Sequence, residues 1–275
     1  MNEVLSLAAG ILLLIFAAAA LFLLHIYHEL KRKRKEFELE VADLEEHRGF
    51  LQDAGERLLE LKGALAREQE KNNKLLHNIL PERVVKDLQE KGESQPERFD
   101  HTAVFFADIV NFTGIVPELE PEELLVELND IFGTFDRIFV KHNCERIKTV
   151  GDAYMAVAGL HKSSAAPEKD ILLAAVEARE ALINRNNQPG TRKWQMRFGV
   201  NSGPVIGGIV WQEKYLYDIF GDTVNIASRI EHLSEPMKIN VPEKVYRIIQ
   251  NDFEFESRGK IQIRGRGETE MYFLK

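Results

Sequence analysis

Two aspartates stand where apolar runs of the chain end. Asp108 follows the run 101–107, and Asp152 closes the segment RIKTVGD at residues 146–152. If the two runs form neighbouring strands, both carboxylates lie at one edge of a sheet, where they can hold a pair of Mg²⁺ ions. An Asp after a strand is also a common turn former or helix cap, so the aspartates alone leave both interpretations open.

Lys148 lies four residues before Asp152. Side chains separated by an even number on a strand point to the same face, so Lys148, Val150 and Asp152 are expected to share one side. A cation at this position needs a partner, although a strand lysine is often only a solvated edge charge.

A further polar group lies in the segment YDIFGDTVNIASR at residues 217–229. A strand and then a helix are expected here, with Asp222 or Thr223 as the helix cap. Asn225 and Arg229 are then one turn apart on one face. They can grip a ribose and a phosphate, because Arg offers planar, permanently charged donors to oxyanions. An ordinary exposed polar face has the same pattern.

The stretch SRGKIQIRGRGE at residues 257–268 is basic and glycine-rich. It either closes over a triphosphate or forms a hairpin turn.

Residues 4–26 contain no charged side chain and are long enough for a membrane-spanning helix. A cleaved signal peptide would instead have basic residues before a shorter apolar core. Residues 31–35 read KRKRK, so the positive-inside rule predicts an N-terminus outside and a cytoplasmic remainder. We therefore expect a single-pass plasma-membrane protein whose basic cluster meets anionic lipid and whose helix can pair with another membrane protein. The alternative is a buried helix of a soluble protein.

A seven-residue apolar row begins after the basic cluster. Such a row is typical of the core of a coiled coil, and a parallel homodimer is the natural interpretation. The companion row is mixed in polarity, which leaves a single solvated helix as the alternative. The polar member, Asn72, would cost stability but favour an in-register pair. The row consists of Phe37, Leu44, Leu51, Leu58, Leu65, Asn72 and Ile79.

The composition excludes several classes of function. The net charge of −8 over 275 residues argues against general nucleic-acid binding. Cys144 is the only cysteine, so no intrachain disulfide or thiolate metal cluster is possible, and its apolar surroundings indicate a buried structural thiol.

From about residue 98 the chain alternates strand-like and helix-like runs in the α+β or α/β manner. Pro81 ends or kinks the helix before it, and a short helix and a linker follow. The predicted strands cover residues 101–107, 146–150, 154–158, 195–201, 205–210, 216–220, 253–256 and 271–274. The predicted helices cover residues 121–142, 168–185, 223–233 and 242–250.

Three motifs together resemble the class III nucleotidyl cyclase catalytic domain. They are FADIVNFT at residues 106–113, RIKTVGDAYM at residues 146–155 and the segment 217–229. The upstream LHNILPER at residues 76–83 is similar to the helical transducer element that precedes such domains. The resemblance implies an α+β fold with a ferredoxin-like βαββαβ core, acting as a head-to-tail homodimer with two active sites at the subunit interface.

Each implied active site is composite. The metal-binding residues of one subunit are Asp108, Asp152 and the backbone carbonyl of Ile109, for two Mg²⁺ ions that Mn²⁺ can replace. The second subunit supplies the base-selecting pair Lys148 and Asp218, with Asn225 and Arg229 for the ribose and the transition state. The remaining substrate-binding residues are Phe112, Thr113 and Arg264. Arg264 stands where the family usually has a Lys. Trp211 replaces a frequent glycine in a hairpin expected at residues 203–211.

Hydrogen-bond polarity favours ATP over GTP. Adenine offers an acceptor at N1 and a donor at its 6-amino group, which suits Lys148 as donor and Asp218 as acceptor. Guanine presents the reverse, and unpaired buried polar groups reduce binding strongly. Guanylate-producing members of the resembled family have an acidic residue in place of the Lys and a small residue in place of the Asp.

The sequence therefore predicts an adenylate cyclase that converts ATP to 3′,5′-cyclic AMP and pyrophosphate by a two-metal mechanism in signal transduction. The alternatives are a catalytically silent nucleotide-binding module and a guanylate cyclase. The predicted parts are the N-terminus and transmembrane helix at 1–30, the basic segment and coiled coil at 31–80, the transducer helix and linker at 81–97, and the catalytic domain at 98–275.

Overall fold

The computed structural model describes residues 2–77, 80–160, 164–210 and 216–275. The chain divides into two units, Met1–Leu75 and Leu76–Lys275. Two earlier predictions, on Ile79 and on Trp211, concern residues outside the described ranges.

The first unit is formed by helix α1, which runs from Asn2 to His77 and ends just inside the second unit. It contains an 18-residue window with a mean hydropathy of 1.9, so its length and composition suffice to cross a membrane. The heptad row farther along α1 is exposed, with Leu51 69% and Leu65 60% accessible. An exposed apolar row at this spacing agrees with the predicted coiled coil, which stays a prediction.

The second unit is built on a mixed sheet. Its helices are α2 (Glu82–Lys91), α3 (Phe112–Ile115), α4 (Pro121–Lys141), α5 (Pro167–Asn186), α6 (Asp222–His232) and α7 (Glu243–Ile249). Its strands are β1 (Glu97–Ile109), β2 (Cys144–Val150), β3 (Ala153–Ala158), β4 (Met196–Val210), β5 (Leu216–Phe220), β6 (Ile239–Pro242), β7 (Phe255–Ile263) and β8 (Gly267–Leu274).

The expected α+β fold with a ferredoxin-like core is confirmed. The elements β1, α4, β2, β3, α5 and β4 follow one another along the chain, and the described strands form a sheet in the order β2-β3-β1-β4-β6-β8-β7. β1 is antiparallel to both of its neighbours, while β5 pairs with the second half of β4.

The two faces of β1 point into different apolar clusters. Ala103, Phe105 and Ala107 face the main core beneath α4 and α5. Val104 faces a second cluster that includes Val84 and Val85 of α2. Because side chains alternate along a strand, Asp108 belongs to the same face as Val104. This second face carries the polar residues described below.

β4 is one strand of 15 residues, so the prediction of two separate strands was wrong. The proline at position 204 has no N–H for the ladder, so the strand can continue through it only with a local irregularity. The register between β1 and β4 shifts between Phe99 and Thr102, opposite this proline. The irregularity lets β4 continue, and the Thr102 hydroxyl donates to the Gly203 carbonyl at 2.7 Å.

The strand predictions near the C-terminus were partly wrong. β6, a four-residue strand, was not predicted, and the strand predicted at 253–256 covers only the first two residues of β7. The basic stretch 257–268 is the end of β7, a tight turn and the start of β8, as the hairpin alternative predicted. β7 lies at the sheet edge, and its polar, largely exposed side chains hid its strand character.

Gly199 of β4 allows close contact between β4 and α6. A Cβ at this position would lie 2.6 Å from the Cα of Glu231. We expect Gly199→Ala to destabilise the second unit by about 3 kcal/mol, because neither backbone can move without disturbing the core. Gly133→Ala in α4 is the control. Its Cβ would meet only the end of Arg137 at 3.9 Å, so it should stabilise by about 0.5–1 kcal/mol. Urea unfolding followed by the fluorescence of buried Trp194 measures both.

Candidate active site

Asp108 and Asp152 lie together at one edge of the sheet. Asp108 is near the end of β1, and Asp152 lies in the turn between β2 and β3. The Asp152 carboxyl lies close enough to the Asp108 carboxyl and to the backbone N–H of Ile109 for both groups to affect its pKa. Burial and the neighbouring Asp108 carboxylate raise the pKa of Asp152 to about 6.

The donor set of this edge fits a divalent metal ion. Two close carboxylates repel each other when both are ionised, and a dication removes that repulsion. Within the described residues, no three or more His, Cys, Asp or Glu side chains are arranged so that they could hold a metal ion by themselves. A metal held by Asp108 and Asp152 therefore takes its other ligands from backbone carbonyls, water or a bound substrate, which is how Mg²⁺ is usually held beside phosphates.

Arg197 is a site residue that the sequence analysis missed. It lies directly opposite Asp108 in the β1–β4 register, and its Nη2 donates to Asp108 Oδ2 at 2.8 Å. Its Nε donates to Glu231 Oε1 of α6 at 3.1 Å. A signal was available, since Arg197 is a charged residue between the apolar Met196 and Phe198 in a predicted strand.

Lys148 and Asp218 form an ion pair. Lys148 Nζ donates to Asp218 Oδ2 at 2.5 Å, joining β2 to β5. Asp218 is buried, and its other oxygen accepts the backbone N–H of Ile219 at 2.9 Å. The structure therefore places beside each other a donor and an acceptor that the sequence separates by 70 residues.

Asn225 and Arg229 lie one turn apart on α6, as predicted. Asn225 is exposed, and Arg229 is half-buried with its Nη1 donating to the backbone carbonyl of Arg264. The expected side-chain cap of α6 was wrong. The helix begins after Gly221 without a side-chain cap hydrogen bond, because the Thr223 hydroxyl donates instead to the Pro204 carbonyl at 2.8 Å.

The other predicted substrate-binding residues lie at two places. Phe112 of α3 is half-buried and packs against Trp194, with 6.5 Å between ring centroids. Thr113 beside it is exposed. Arg264 is exposed in the turn between β7 and β8. In the same turn, Arg266 pairs with Asp222 of α6 at 3.1 Å.

The site residues form separate groups within one chain. Hydrogen bonds and ion pairs of the described residues join Asp108 to Arg197, Lys148 to Asp218, and Arg229 to the 264 carbonyl. None of those interactions joins the Lys148–Asp218 pair to Asp108 or Asp152, the two carboxylates that we call the metal edge.

Comparison with known proteins decides the family. The profile described as "Adenylate and Guanylate cyclase catalytic domain" matches residues 94–275. The chain belongs to this family. Human guanylyl cyclase C is 37% identical to this cyclase over 213 residues, covering 75% of the chain and 20% of the relative. An adenylate cyclase of Mycobacterium bovis is 32% identical over 211 residues, covering 75% of the chain and 47% of the relative.

Solved structures agree with this family. The adenylyl cyclase CyaB from P. aeruginosa matches with a TM-score of 0.60 and 27% identity, over 66% of this cyclase and 96% of that chain. A guanylate cyclase domain from Catenaria anguillulae in complex with GTP matches with a TM-score of 0.62 and 26% identity, over 65% of this chain and 98% of that chain. A non-canonical dimeric guanylyl cyclase domain from Blastocladiella emersonii matches with a TM-score of 0.59 and 27% identity, over 65% of this chain and 97% of that chain. Class III cyclases generally use divalent metal ions such as Mg²⁺ or Mn²⁺. The cyclase spans less than half of the length of either curated relative above.

Asp152 should make the metal-free cyclase less stable. Its folded-state pKa lies above the ordinary 3.8, so its contribution to stability is full below pH 3.8 and is lost as the pH rises through about 6. At pH 7.5 in EDTA, we expect Asp152→Asn to raise the melting temperature by about 2–4 °C. Added Mn²⁺ should stabilise the parent cyclase and not the variant.

The control for this experiment is Asp100→Asn, which removes an exposed carboxylate that pairs with Arg98. It should leave both melting temperatures unchanged. Equal Mn²⁺ stabilisation of the parent and of Asp152→Asn would contradict the metal assignment.

Proposed function

We propose that the chain is an adenylate cyclase that converts ATP to 3′,5′-cyclic AMP and pyrophosphate at sites shared by two copies of the chain. The observation that carries this proposal is the Lys148–Asp218 pair. Lys148 can donate to adenine N1, while Asp218 can accept from the 6-amino group. Guanine would set its N1–H against an ammonium group and its O6 against a carboxylate, which leaves buried polar groups unpaired.

The cyclisation would take place at the metal edge. Two metal ions held by Asp108, Asp152 and the carbonyl of Ile109 would lower the pKa of the ribose 3′-hydroxyl and neutralise the leaving pyrophosphate. Arg197 adds a fixed positive charge beside Asp108, where a bound polyphosphate brings negative charge. The mechanism needs no protein nucleophile.

The residues of α6 act on the sugar and on the reacting phosphate. Exposed Asn225 is free to hydrogen-bond the ribose, and Arg229 stabilises negative charge that develops at the α-phosphate. Arg229 donates to the backbone carbonyl of Arg264, so substrate must replace that acceptor. The replaced acceptor belongs to Arg264. A triphosphate bound at Arg229 would therefore also lie close to the guanidinium group of Arg264. Phe112 and Thr113 are assigned to the substrate-binding set on the motif alone.

A homodimer explains why one chain holds the site in separate groups. The metal edge of one copy and the Lys148–Asp218 and Asn225–Arg229 groups of the other would make one active site, and twofold symmetry makes a second. One sequence supplies both halves, so no other subunit is required.

We also propose that the N-terminal helix anchors the cyclase in the plasma membrane. The support is the apolar segment of α1 followed by the basic residues 31–35, a pattern that favours a cytoplasmic catalytic domain under the positive-inside rule. The exposed heptad row of α1 favours a parallel coiled coil at 31–80 that brings two catalytic domains together. Residues 81–97 then connect this helix to the catalytic domain at 98–275.

A guanylate cyclase is the second candidate, favoured by the relatives that are guanylyl cyclases, human guanylyl cyclase C among them. The Lys148–Asp218 pair argues against it, because both hydrogen bonds to guanine would have the wrong polarity. A silent nucleotide-binding module is the third candidate. The presence of both carboxylates, Asn225 and Arg229 argues against it.

Product analysis tests the catalytic proposal. The full chain in detergent, with Mn²⁺ and ATP, should form cyclic AMP and pyrophosphate in equal amounts. Asp108→Asn should reduce the rate by about 10²-fold or more, since it removes a carboxylate of the metal edge. Asp100→Asn is the control and should retain the parent rate. ATP binding without product would instead support the silent module.

A further inference from the structure

Glu231 is a buried carboxylate that the proposed mechanism does not use. It lies near the end of α6 and is 1% exposed. Glutamate is almost never fully buried unless it is paired, because desolvation disfavours the charge. Glu231 Oε1 accepts from Arg197 Nε at 3.1 Å, and its Oε2 lies 2.9 Å from His232 Nδ1. His232 is largely exposed, so Arg197 is the partner inside the fold.

The close contact between β4 and α6 explains the position of this carboxylate. Gly199 has no side chain, so the backbone of Glu231 lies directly against β4. Glycine serves this purpose wherever two backbones approach closely. Arg197 is two residues before Gly199 on the same strand and therefore points to the same face. The geometry sets the Glu231 carboxylate beside the guanidinium of Arg197.

Arg197 is held at both ends of its guanidinium group. Its Nε donates to Glu231, and its Nη2 donates to Asp108 Oδ2 at 2.8 Å. A guanidinium is planar, so fixing Nε on one carboxylate fixes the direction of the other donors. Glu231 thus determines where Arg197 points, and Arg197 in turn orients Asp108.

We propose that Glu231 is a positioning residue that orients Asp108 for metal binding through Arg197. The inference rests on the proposed function, in which Asp108 holds the metal. Groups that orient metal ligands commonly change metal affinity or activity by 10–100-fold when they are removed. Glu231 acts on the metal edge of its own chain, although Arg229, two residues earlier on α6, serves the other site of the dimer.

Metal binding gives the first test. We expect Glu231→Gln to weaken Mn²⁺ binding to the metal-free full chain by about tenfold, as measured by electron paramagnetic resonance of free Mn²⁺. Glu231→Asp, which keeps the charge but is one methylene shorter, should give an intermediate loss and serves if the Gln variant does not fold. Glu235→Gln is the control, since it removes a largely exposed carboxylate near the same end of α6 and leaves the Glu231–Arg197 contact in place. Unchanged Mn²⁺ affinity in both Glu231 variants would overturn the proposal.

Mixed dimers distinguish a role of Glu231 in positioning Asp108 from general damage to α6. In a dimer of an Asp108→Ala chain with an Arg229→Ala chain, the one intact site takes its metal edge from the Arg229→Ala chain. Glu231→Gln added to that chain should lower activity by about tenfold at subsaturating Mn²⁺. Added to the Asp108→Ala chain, it should have no effect.

Each outcome of this comparison has one meaning. A loss from the Asp108→Ala chain that equals or exceeds the loss from the Arg229→Ala chain would show that Glu231 only supports α6 or the fold, and would overturn the inference. If the mixed dimer without Glu231→Gln is inactive, the shared-site proposal fails instead. The Mn²⁺ measurement still applies in that case, because it needs no catalysis.

Discussion

Exchange of the proposed base-selecting pair, Lys148 and Asp218, should convert the proposed preference for ATP into a preference for GTP. We expect Lys148→Glu together with Asp218→Ser to change the ratio of kcat/KM for ATP over that for GTP by about 10⁴-fold. The Glu carboxylate accepts from guanine N1–H, while the Ser hydroxyl donates to O6. The parent pair offers the opposite polarity at both positions, joined at 2.5 Å. Initial rates with each nucleotide under the same Mn²⁺ concentration give the ratio.

Single variants show whether the two positions act together. Lys148→Glu alone sets two carboxylates against each other, and Asp218→Ser alone leaves Lys148 unpaired, so both should lose activity with both nucleotides. The matched control is Lys141→Glu with Glu177→Ser, an exposed pair joined at 2.8 Å. It should not alter the ratio. A double variant at 148 and 218 that still prefers ATP would contradict the base assignment.

Two inactive chains should regain activity when they form one dimer. Asp108→Ala removes a metal carboxylate and Arg229→Ala removes the transition-state cation, and each homodimer should retain about 1% of the parent rate or less. Coexpression with two different tags and purification through both isolates the mixed dimer. One of its two sites combines only unaltered residues, so its rate should be about half that of the parent.

The control for this experiment pairs two defects of the same half-site. A mixed dimer of Asp108→Ala with Asp152→Ala has a damaged metal edge in both copies and should stay inactive. Restoration in this control, or no restoration in the first pair, would show that the active site is not shared as proposed.

The sequence predicted the core of the fold because its signals are local. The apolar run that ends at Asp108 and the proline-initiated helix α4 have patterns that only one element fits. β6 has four residues, all buried, and a short apolar run does not distinguish a strand from a loop or helix. The α6 cap was mispredicted because Thr223 bonds the Pro204 carbonyl, a contact with another element.

The same distinction applies to the candidate site. Motifs in the sequence predicted Asp108, Asp152, Lys148 and Asp218. The contacts between these residues depend on strand register, which the motifs do not give. Arg197 was missed because it is a single charge within an apolar strand, and Glu231 because it stands among other polar residues of a helix. The contact between these two residues depends on Gly199, which lets α6 approach β4 closely. A charged residue on a predicted buried face is therefore expected to pair with another buried charge of the chain.

We expect this cyclase to make cyclic AMP because Lys148 and Asp218 recognise adenine. The most direct measurement is the kcat/KM of the purified full chain for ATP and for GTP, with Mn²⁺ and separation of the cyclic products. We predict a preference for ATP of at least about 10²-fold, given two reversed buried hydrogen bonds. Equal use of the two nucleotides, or a preference for GTP, would contradict the account.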